Sequence, residues 1–204
     1  MQKFLDWLER VLTPLAKVIG ENKYLVAIRD GFLLSTPLLI VGSVFLLIAN
    51  FPLPQWDTWM SHLLGKDWAT MMSVPASASF DVMTILAVVG IAYSLGKQFN
   101  VDAMQAGIIA LVSFFIVTPY QTLFTPENSS KVYEVTSLPL KWMGSSGLFL
   151  GMIVALIATR LFVAIVRKGW TIKMPEGVPP TVVKSFEALI PSFLVVTLMF
   201  LVNW

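Results

Sequence analysis

The sequence lacks cysteine and has little charge. None of its 204 residues is a cysteine, which excludes disulfide bonds, thiolate metal sites and a phosphocysteine carrier within this chain. Charged residues account for 13%, whereas hydrophobic residues account for 56% and the mean hydropathy is +0.77. No glycine-rich nucleotide loop, HExxH motif or paired-carboxylate motif is present. The composition indicates an integral membrane protein, with no support for a metal, an organic cofactor or a catalytic residue.

Five apolar runs reach or approach the length that crosses about 30 Å of hydrocarbon as a helix. They cover residues 24–51, 74–96, 104–120, 144–166 and 182–203. We therefore predict an all-α polytopic membrane protein with about five transmembrane helices. Residues 1–23 carry a broad helical stripe of apolar side chains, which indicates an amphipathic helix at the cytoplasmic interface or, equally, one packed on protein.

The basic residues are distributed unequally between the two sides of the membrane. The side that holds the N-terminus carries eleven of them and the opposite side three, which are Lys66, Lys131 and Lys141. By the positive-inside rule, this predicts a cytoplasmic N-terminus, and five crossings then place Trp204 outside. Topology explains the basic residues better than nucleic-acid binding does.

Few charges fall inside the apolar runs. Asp81 lies within the second run, where a carboxylate is costly unless it is paired, protonated or facing water. It is the substrate-binding candidate of this chain; the alternative is a structural carboxylate near the outer interface, hydrogen-bonded by Ser77, Ser79 or Thr84. Arg29 and Asp30 begin the first span, and because adjacent residues do not face each other on a helix, we expect separate partners for them. Snorkelling to the headgroups and a functional role both remain open for this pair.

The predicted outer connections carry aromatic residues and the single histidine. Trp56, Trp59 and Trp68 are expected at the headgroup level, beside an interfacial helix. His62 lies in the same connection, which favours a surface histidine over a phosphorylated one. A short hairpin is expected around residues 131–136. Glycines at several span positions favour close helix packing; they are Gly42, Gly107, Gly144, Gly147 and Gly151.

Residues 173–191 concentrate four prolines, a glycine and four charges between two apolar runs. Pro175, Pro179 and Pro180 fix φ and remove backbone donors, so we predict a rigid, non-helical segment before Thr181. Pro180 suits the first turn of the following helix. With Lys173 and Glu176, this segment is either a shaped joint, a lining of a polar pathway, or a surface loop.

Several motifs in order along the chain resemble those of the membrane component IIC of the bacterial phosphoenolpyruvate:sugar phosphotransferase system, in its lactose/cellobiose/diacetylchitobiose branch. They include Ile28-Arg29-Asp30-Gly31-Phe32, residues 37–43, Ala92-Tyr93, Asp102, residues 106–110, Lys173-Met174-Pro175-Glu176-Gly177-Val178-Pro179-Pro180, Ser185-Phe186 and residues 189–191. The resemblance implies a dimeric permease that carries a sugar across the bacterial cell membrane. It also implies a IIB partner that phosphorylates the sugar, and a IIA partner.

The resemblance covers only the N-terminal half of such permeases. Residues 24–204 correspond to the half that supplies the dimer interface, and the histidine and glutamate that hold the sugar belong to the other half. Neither His62 nor Glu176 nor Glu187 inherits those roles. A truncated gene product, an isolated domain and a split subunit all fit, with the second half in cis or in trans.

Three hypotheses follow. The chain is a component of a permease for a β-linked disaccharide, a dimerising scaffold that does not transport, or an unrelated membrane enzyme or transporter.

Overall fold

A computed structural model describes residues 10, 13, 17, 20–125, 131–175 and 177–204. The predicted helix at residues 1–23 lies largely outside the described residues, as does Glu176. The helices, numbered in chain order, are α1 (Lys23–Ala49), α2 (Trp56–Leu64), α3 (Trp68–Phe80), α4 (Met83–Gln98), α5 (Ala103–Val117), α6 (Leu140–Met143), α7 (Leu148–Arg167) and α8 (Pro180–Asn203). Strands β1 (Gln121–Phe124) and β2 (Tyr133–Thr136) separate α5 from α6.

The described chain has four segments long and apolar enough to cross a membrane: α1, the interrupted pair α3–α4, the segment Ser145–Arg167 and α8. Helix α5 is a shorter apolar fifth one of 15 residues, or about 22 Å. The predicted all-α polytopic architecture is confirmed. The predicted span over residues 104–120 is longer than α5. The helix ends at Val117, because Thr118 has extended backbone and Pro119 follows it.

Helix α4 occupies the centre of the bundle and packs on α1, α5 and α7. More than half of its residues are buried, and its fully buried side chains include Val88, Ile91 and Leu95. The tight turn at 99–102 joins α4 to α5, so the two are antiparallel neighbours, as predicted. Helix α8 packs on α5 and α7 at the edge.

Helix α1 approaches α4 through a row of small residues. Its buried positions are Ala27, Gly31, Ser35 and Gly42, whereas its other faces expose large apolar side chains. A Cβ added to Gly90 of α4 would lie 2.5 Å from the Gly31 carbonyl oxygen, and one added to Gly31 would lie 2.6 Å from Ile91 Cα. The two backbones therefore touch at Gly31 and Gly90, a contact that only glycine permits. The Gly42 prediction is also confirmed, since its added Cβ would meet Ser79 at 2.9 Å.

The second span is not continuous, contrary to the prediction of one helix over 74–96. Helix α3 ends at Phe80 and α4 begins at Met83, with a turn at Asp81 and Val82. A contact with a segment 60 residues away accompanies the break: Thr84 Oγ1 donates a 2.6 Å hydrogen bond to the Gly144 carbonyl oxygen. Gly144 rests against the backbone of the turn, so the irregular entry to α7 and the break in the span stabilise each other.

The connection between α1 and α3 contains the tryptophans. Trp56 Nε1 donates to the Ile48 carbonyl oxygen at 2.8 Å, and Trp68 Nε1 donates to Asp57 Oδ1 at 2.9 Å. Trp59 is exposed, as expected of a headgroup residue, but Trp68 is only 1% exposed. Trp68 thus packs inside the protein instead of joining an aromatic belt. The short helix α2 lies between α1 and α3, so the helix predicted in this connection is confirmed.

The predicted hairpin exists, but with different bounds. Strand β2 covers Tyr133–Thr136, but it pairs antiparallel with β1, which precedes the predicted segment. Two glycines near the start of α7 make close contacts of different kinds. Gly147 approaches the backbone of the nearby Trp142, whereas Gly151 packs on Thr84 and Val88 of α4. Gly107 makes only ordinary contacts with Val89.

We expect Gly90→Ala to destabilise the protein by about 1–3 kcal/mol, because the new methyl group would push α1 away from α4. Gly107→Ala is the matched control, since its Cβ would lie 3.4 Å from Val89 Cγ1. Both changes raise the helix propensity equally, so the difference in stability between the two variants reports the close contact between α1 and α4. Thermal unfolding in detergent measures it, and equal midpoints for the two variants would contradict the close crossing.

Candidate functional site

The proline-rich connector, residues 168–179, runs from the end of α7 to the start of α8. Gly169 and Gly177 have φ of +75° and +100°, values that favour glycine. Residues 168–175 and 177–179, the part of the connector that the structure describes, form no helix, and α8 begins at Pro180 with Pro179 as its N-cap. The prediction of Pro180 in the first helical turn is confirmed, whereas the predicted non-helical segment before Thr181 ends one residue earlier, at Pro179. Lys173 and Pro175 are exposed within it.

The end of the connector is held against α5 by a carboxylate with two partners. Asp102 Oδ1 accepts a 3.0 Å hydrogen bond from the Gln105 amide and so caps α5. Its other oxygen, Oδ2, lies 3.4 Å from Lys184 Nζ in the first turns of α8. A cavity of about 200 Å³ lies beside this pair and is bordered by Thr171 and Glu187. Asp102 and Lys184 are 82 positions apart in the sequence, and this spacing did not predict the contact.

Arg29 and Asp30 pair with each other. Arg29 Nη2 lies 2.8 Å from Asp30 Oδ1, and Arg29 Nε donates to the same oxygen at 2.9 Å. The expectation of separate partners was wrong, because the long arginine side chain folds back to reach its neighbour. Asp30 borders a cavity with Tyr93 and Lys97 of α4. The structure therefore places this pair and the connector at different cavities.

Asp81 sits at the break between α3 and α4, half-buried, with its amide donating to the Ser77 carbonyl oxygen at 2.9 Å. It lies 17 residues before the end of α4, or about 25 Å along the helix, and 13 residues after the start of α3 at Trp68, which is near the middle of the Trp68–Gln98 segment. The hydroxyls of Ser79 and Thr84 donate elsewhere, to the Pro75 and Gly144 carbonyl oxygens. The alternative with a hydrogen bond from either of them is therefore wrong.

The carboxylate of Asp81 borders a cavity of about 330 Å³ together with Lys141, Ser145 and Ser146. This arrangement offers one acid, one amine and two hydroxyls, a combination able to hydrogen-bond a polar ligand. The role of Asp81 as a substrate contact stays a prediction.

His62 is exposed in the last turn of α2, as a surface histidine is expected to be.

Thr159 Oγ1 is buried without a hydrogen-bond partner among the described residues, but several other hydroxyls within the spans donate to their own helix. The pattern runs from residue i to the carbonyl oxygen of i−4, and it holds for Thr36, Ser43, Ser79, Ser113 and Ser192. These donors are therefore used within the framework of the bundle. Within the part of the chain that the structure describes, no group of three histidine, aspartate or glutamate residues is placed to hold a metal ion.

Comparison with known proteins gives consistent results. The family model described as "Phosphotransferase system, EIIC" matches residues 29–204. The cellobiose-specific EIIC component of Geobacillus stearothermophilus is 43% identical over 94% of this chain and 43% of its own length. The lichenan permease IIC component of Bacillus subtilis (strain 168) is 42% identical over 98% of this chain and 44% of its own length.

A solved structure agrees with the fold. The transporter ChbC, the IIC component from the N,N'-diacetylchitobiose-specific phosphotransferase system, matches with a TM-score of 0.89 and 43% identity. The match covers 96% of this chain and 46% of ChbC. The chain thus spans less than half the length of these relatives. It belongs to the EIIC family of the phosphotransferase system.

Proposed function

We propose that this chain is the N-terminal half of a permease component that translocates a β-linked disaccharide of the cellobiose, chitobiose or lactose type. The observation that carries the proposal is the 43% identity to a cellobiose-specific EIIC component across 94% of the chain. A IIB protein, supplied by IIA, would phosphorylate the sugar on the cytoplasmic side. The second half of the permease would be joined in cis or supplied in trans.

The polar groups of the bundle support a framework role for residues 24–204. A disaccharide pathway needs several convergent hydrogen-bonding side chains and aromatic platforms. In the described spans, several hydroxyl donors return to backbone carbonyls of their own helices, as at Ser113 and Ser192, whereas Thr159 Oγ1 is buried without a hydrogen-bond partner. Asp81 is the sugar-contact candidate that remains here. The main sugar contacts therefore belong to the other half.

A non-transporting dimerisation scaffold is the second candidate. The exposed face of α1 favours it, because large apolar side chains there are more than 50% exposed and could pack on a second copy; they include Leu33, Leu38, Ile40 and Val41. This face would form the homodimer interface in either candidate. Only the transport assay separates the two.

We propose that the connector is a structural joint. It carries the family motif Lys173, Pro175, Pro179 and Pro180, and the Asp102–Lys184 contact ties the helix that follows it to α5. Fixed proline φ angles support a stiff segment instead of a hinge. On the same side lie the first residues of α1, which the positive-inside rule assigns to the cytoplasm.

Sugar uptake tests the division between the two halves. Cells that express this chain with IIA and IIB are expected to take up no cellobiose, whereas the chain joined to the second half of a cellobiose-specific relative is expected to restore uptake and phosphorylation. Uptake by the chain alone would contradict the division and the scaffold alternative. A stable dimer in detergent, with no uptake after joining, would favour the scaffold.

A C-terminal reporter that is active only in the cytoplasm tests the orientation. We expect low activity when it follows Trp204, because five crossings separate that residue from the N-terminus. A fusion after Gly169 provides the control and is expected to be active. High activity after Trp204 would overturn the cytoplasmic assignment.

Three substitutions test the joint. Asp102→Ala removes both the cap and the ion pair and is expected to cost about 1 kcal/mol of unfolding free energy. Asp102→Asn keeps a capping oxygen, and Lys184→Gln removes only a partly exposed ion pair, so we expect about 0.5 kcal/mol or less from each. Thermal unfolding and uptake per permease are measured together. Lost uptake with unchanged stability in Asp102→Asn would show that the junction takes part in transport.

A further inference from the structure

Three cations converge on one aromatic ring at the turn between α4 and α5. Lys23 Nζ lies 4.8 Å from the centroid of the Phe99 ring, and the guanidinium carbons of Arg160 and Arg167 each lie 5.1 Å from it. Lys23 also donates to the Gln98 carbonyl oxygen, and Arg167 to that of Phe99, both at 3.3 Å. We call Lys23, Arg160 and Arg167 the cation cluster.

The cation cluster has no carboxylate partner among the described residues. The ion pairs of the described residues join other side chains, such as Arg29 to Asp30 and Lys184 to Asp102. The Phe99 ring and the carbonyl oxygens at the end of α4 attract the cations. These partners carry only partial negative charge, and three like charges within reach of one ring repel one another. An added anion would offset this repulsion.

An apolar groove opens beside the cluster. It has a volume of about 340 Å³ and is lined by Tyr24, Leu156, Ile157, Arg160 and Leu161, with Ile157 47% exposed. Arg160 precedes Arg167 by seven residues, so it lies about 10 Å deeper along α7. A guanidinium at this depth is costly unless an anion or water reaches it.

We propose that the cation cluster and this groove bind one anionic phospholipid. Its phosphate lies between Arg160, Arg167 and Lys23, and an acyl chain follows the groove along Leu156 and Ile157. A guanidinium is suited to bind phosphate oxygens through paired N–H donors. The groove distinguishes a lipid from a soluble anion, because its lining is apolar and it continues into the membrane-spanning part of α7. The proposal stands independently of which sugar the permease carries.

Lipid binding to the intact protein, purified from its host in detergent, tests the proposal. Native mass spectrometry follows titration with phosphatidylglycerol or phosphatidylcholine of the same acyl chains. We expect preferential binding of phosphatidylglycerol, and we expect Arg160→Gln to raise its Kd about fivefold. Lys141→Gln is the matched control, because Lys141 lies at the opposite end of the bundle beside Asp81. Its Kd is expected to equal that of the unmodified protein.

Arg160→Lys separates the charge from the fold. It retains a cation, so it is expected to keep most of the preference even where Arg160→Gln unfolds. Equal binding of the two lipids, or equal losses in Arg160→Gln and Lys141→Gln, would overturn the proposal. Competition by glycerol 3-phosphate as strong as that by phosphatidylglycerol would assign the cluster to a soluble anion. Lipid exclusion by the joined second half would assign the groove to a protein contact.

Discussion

The backbone contact between Gly31 and Gly90 is the constraint on which the remaining packing depends. Lipid is as apolar as the side chains of α1, so the hydrophobic effect does not hold these helices together, and close packing must do so. Helix α4 also packs on α5 and α7, so the point where α1 crosses it sets the position of α1 on the whole bundle. Gly31 follows directly after Arg29 and Asp30, which places the motif's charges at the start of α1 and its glycine at the crossing.

The second constraint is that the bilayer leaves no backbone polar group without a partner. The chain breaks a membrane-length helix at Asp81 and Val82 and enters α7 through a non-helical Gly144. These two irregular segments lie side by side, and the buried Thr84 hydroxyl satisfies the Gly144 carbonyl oxygen. Each irregularity alone would expose carbonyl or amide groups to lipid. Together the two irregular segments form one packed unit in the bundle, and Asp81 borders the polar cavity beside it.

Local signals made most of the helices predictable, and distant contacts explain what was not. Apolar length predicted the spans, and Pro180 predicted the start of α8, because both act within a few residues. The break at Asp81 has no local signal: residues 80–83 contain neither glycine nor proline, and the hydrogen bond that accompanies it crosses 60 positions. The convergence of Lys23, Arg160 and Arg167 on Phe99 is equally invisible in sequence, since it depends on how three helices meet.

The contacts along α4 bear on how such a half could take part in transport. One end of α4 is held by cations at Phe99, its middle by Gly31, and its other end by the Thr84 bond to Gly144. A helix held at three levels on three neighbours moves as one body with them. Rigid-body transport needs one such body and a second that moves against it, with the backbone change confined to short segments at element ends. Under the proposed function, this half is therefore the fixed body, and the motion belongs to the sugar-carrying half.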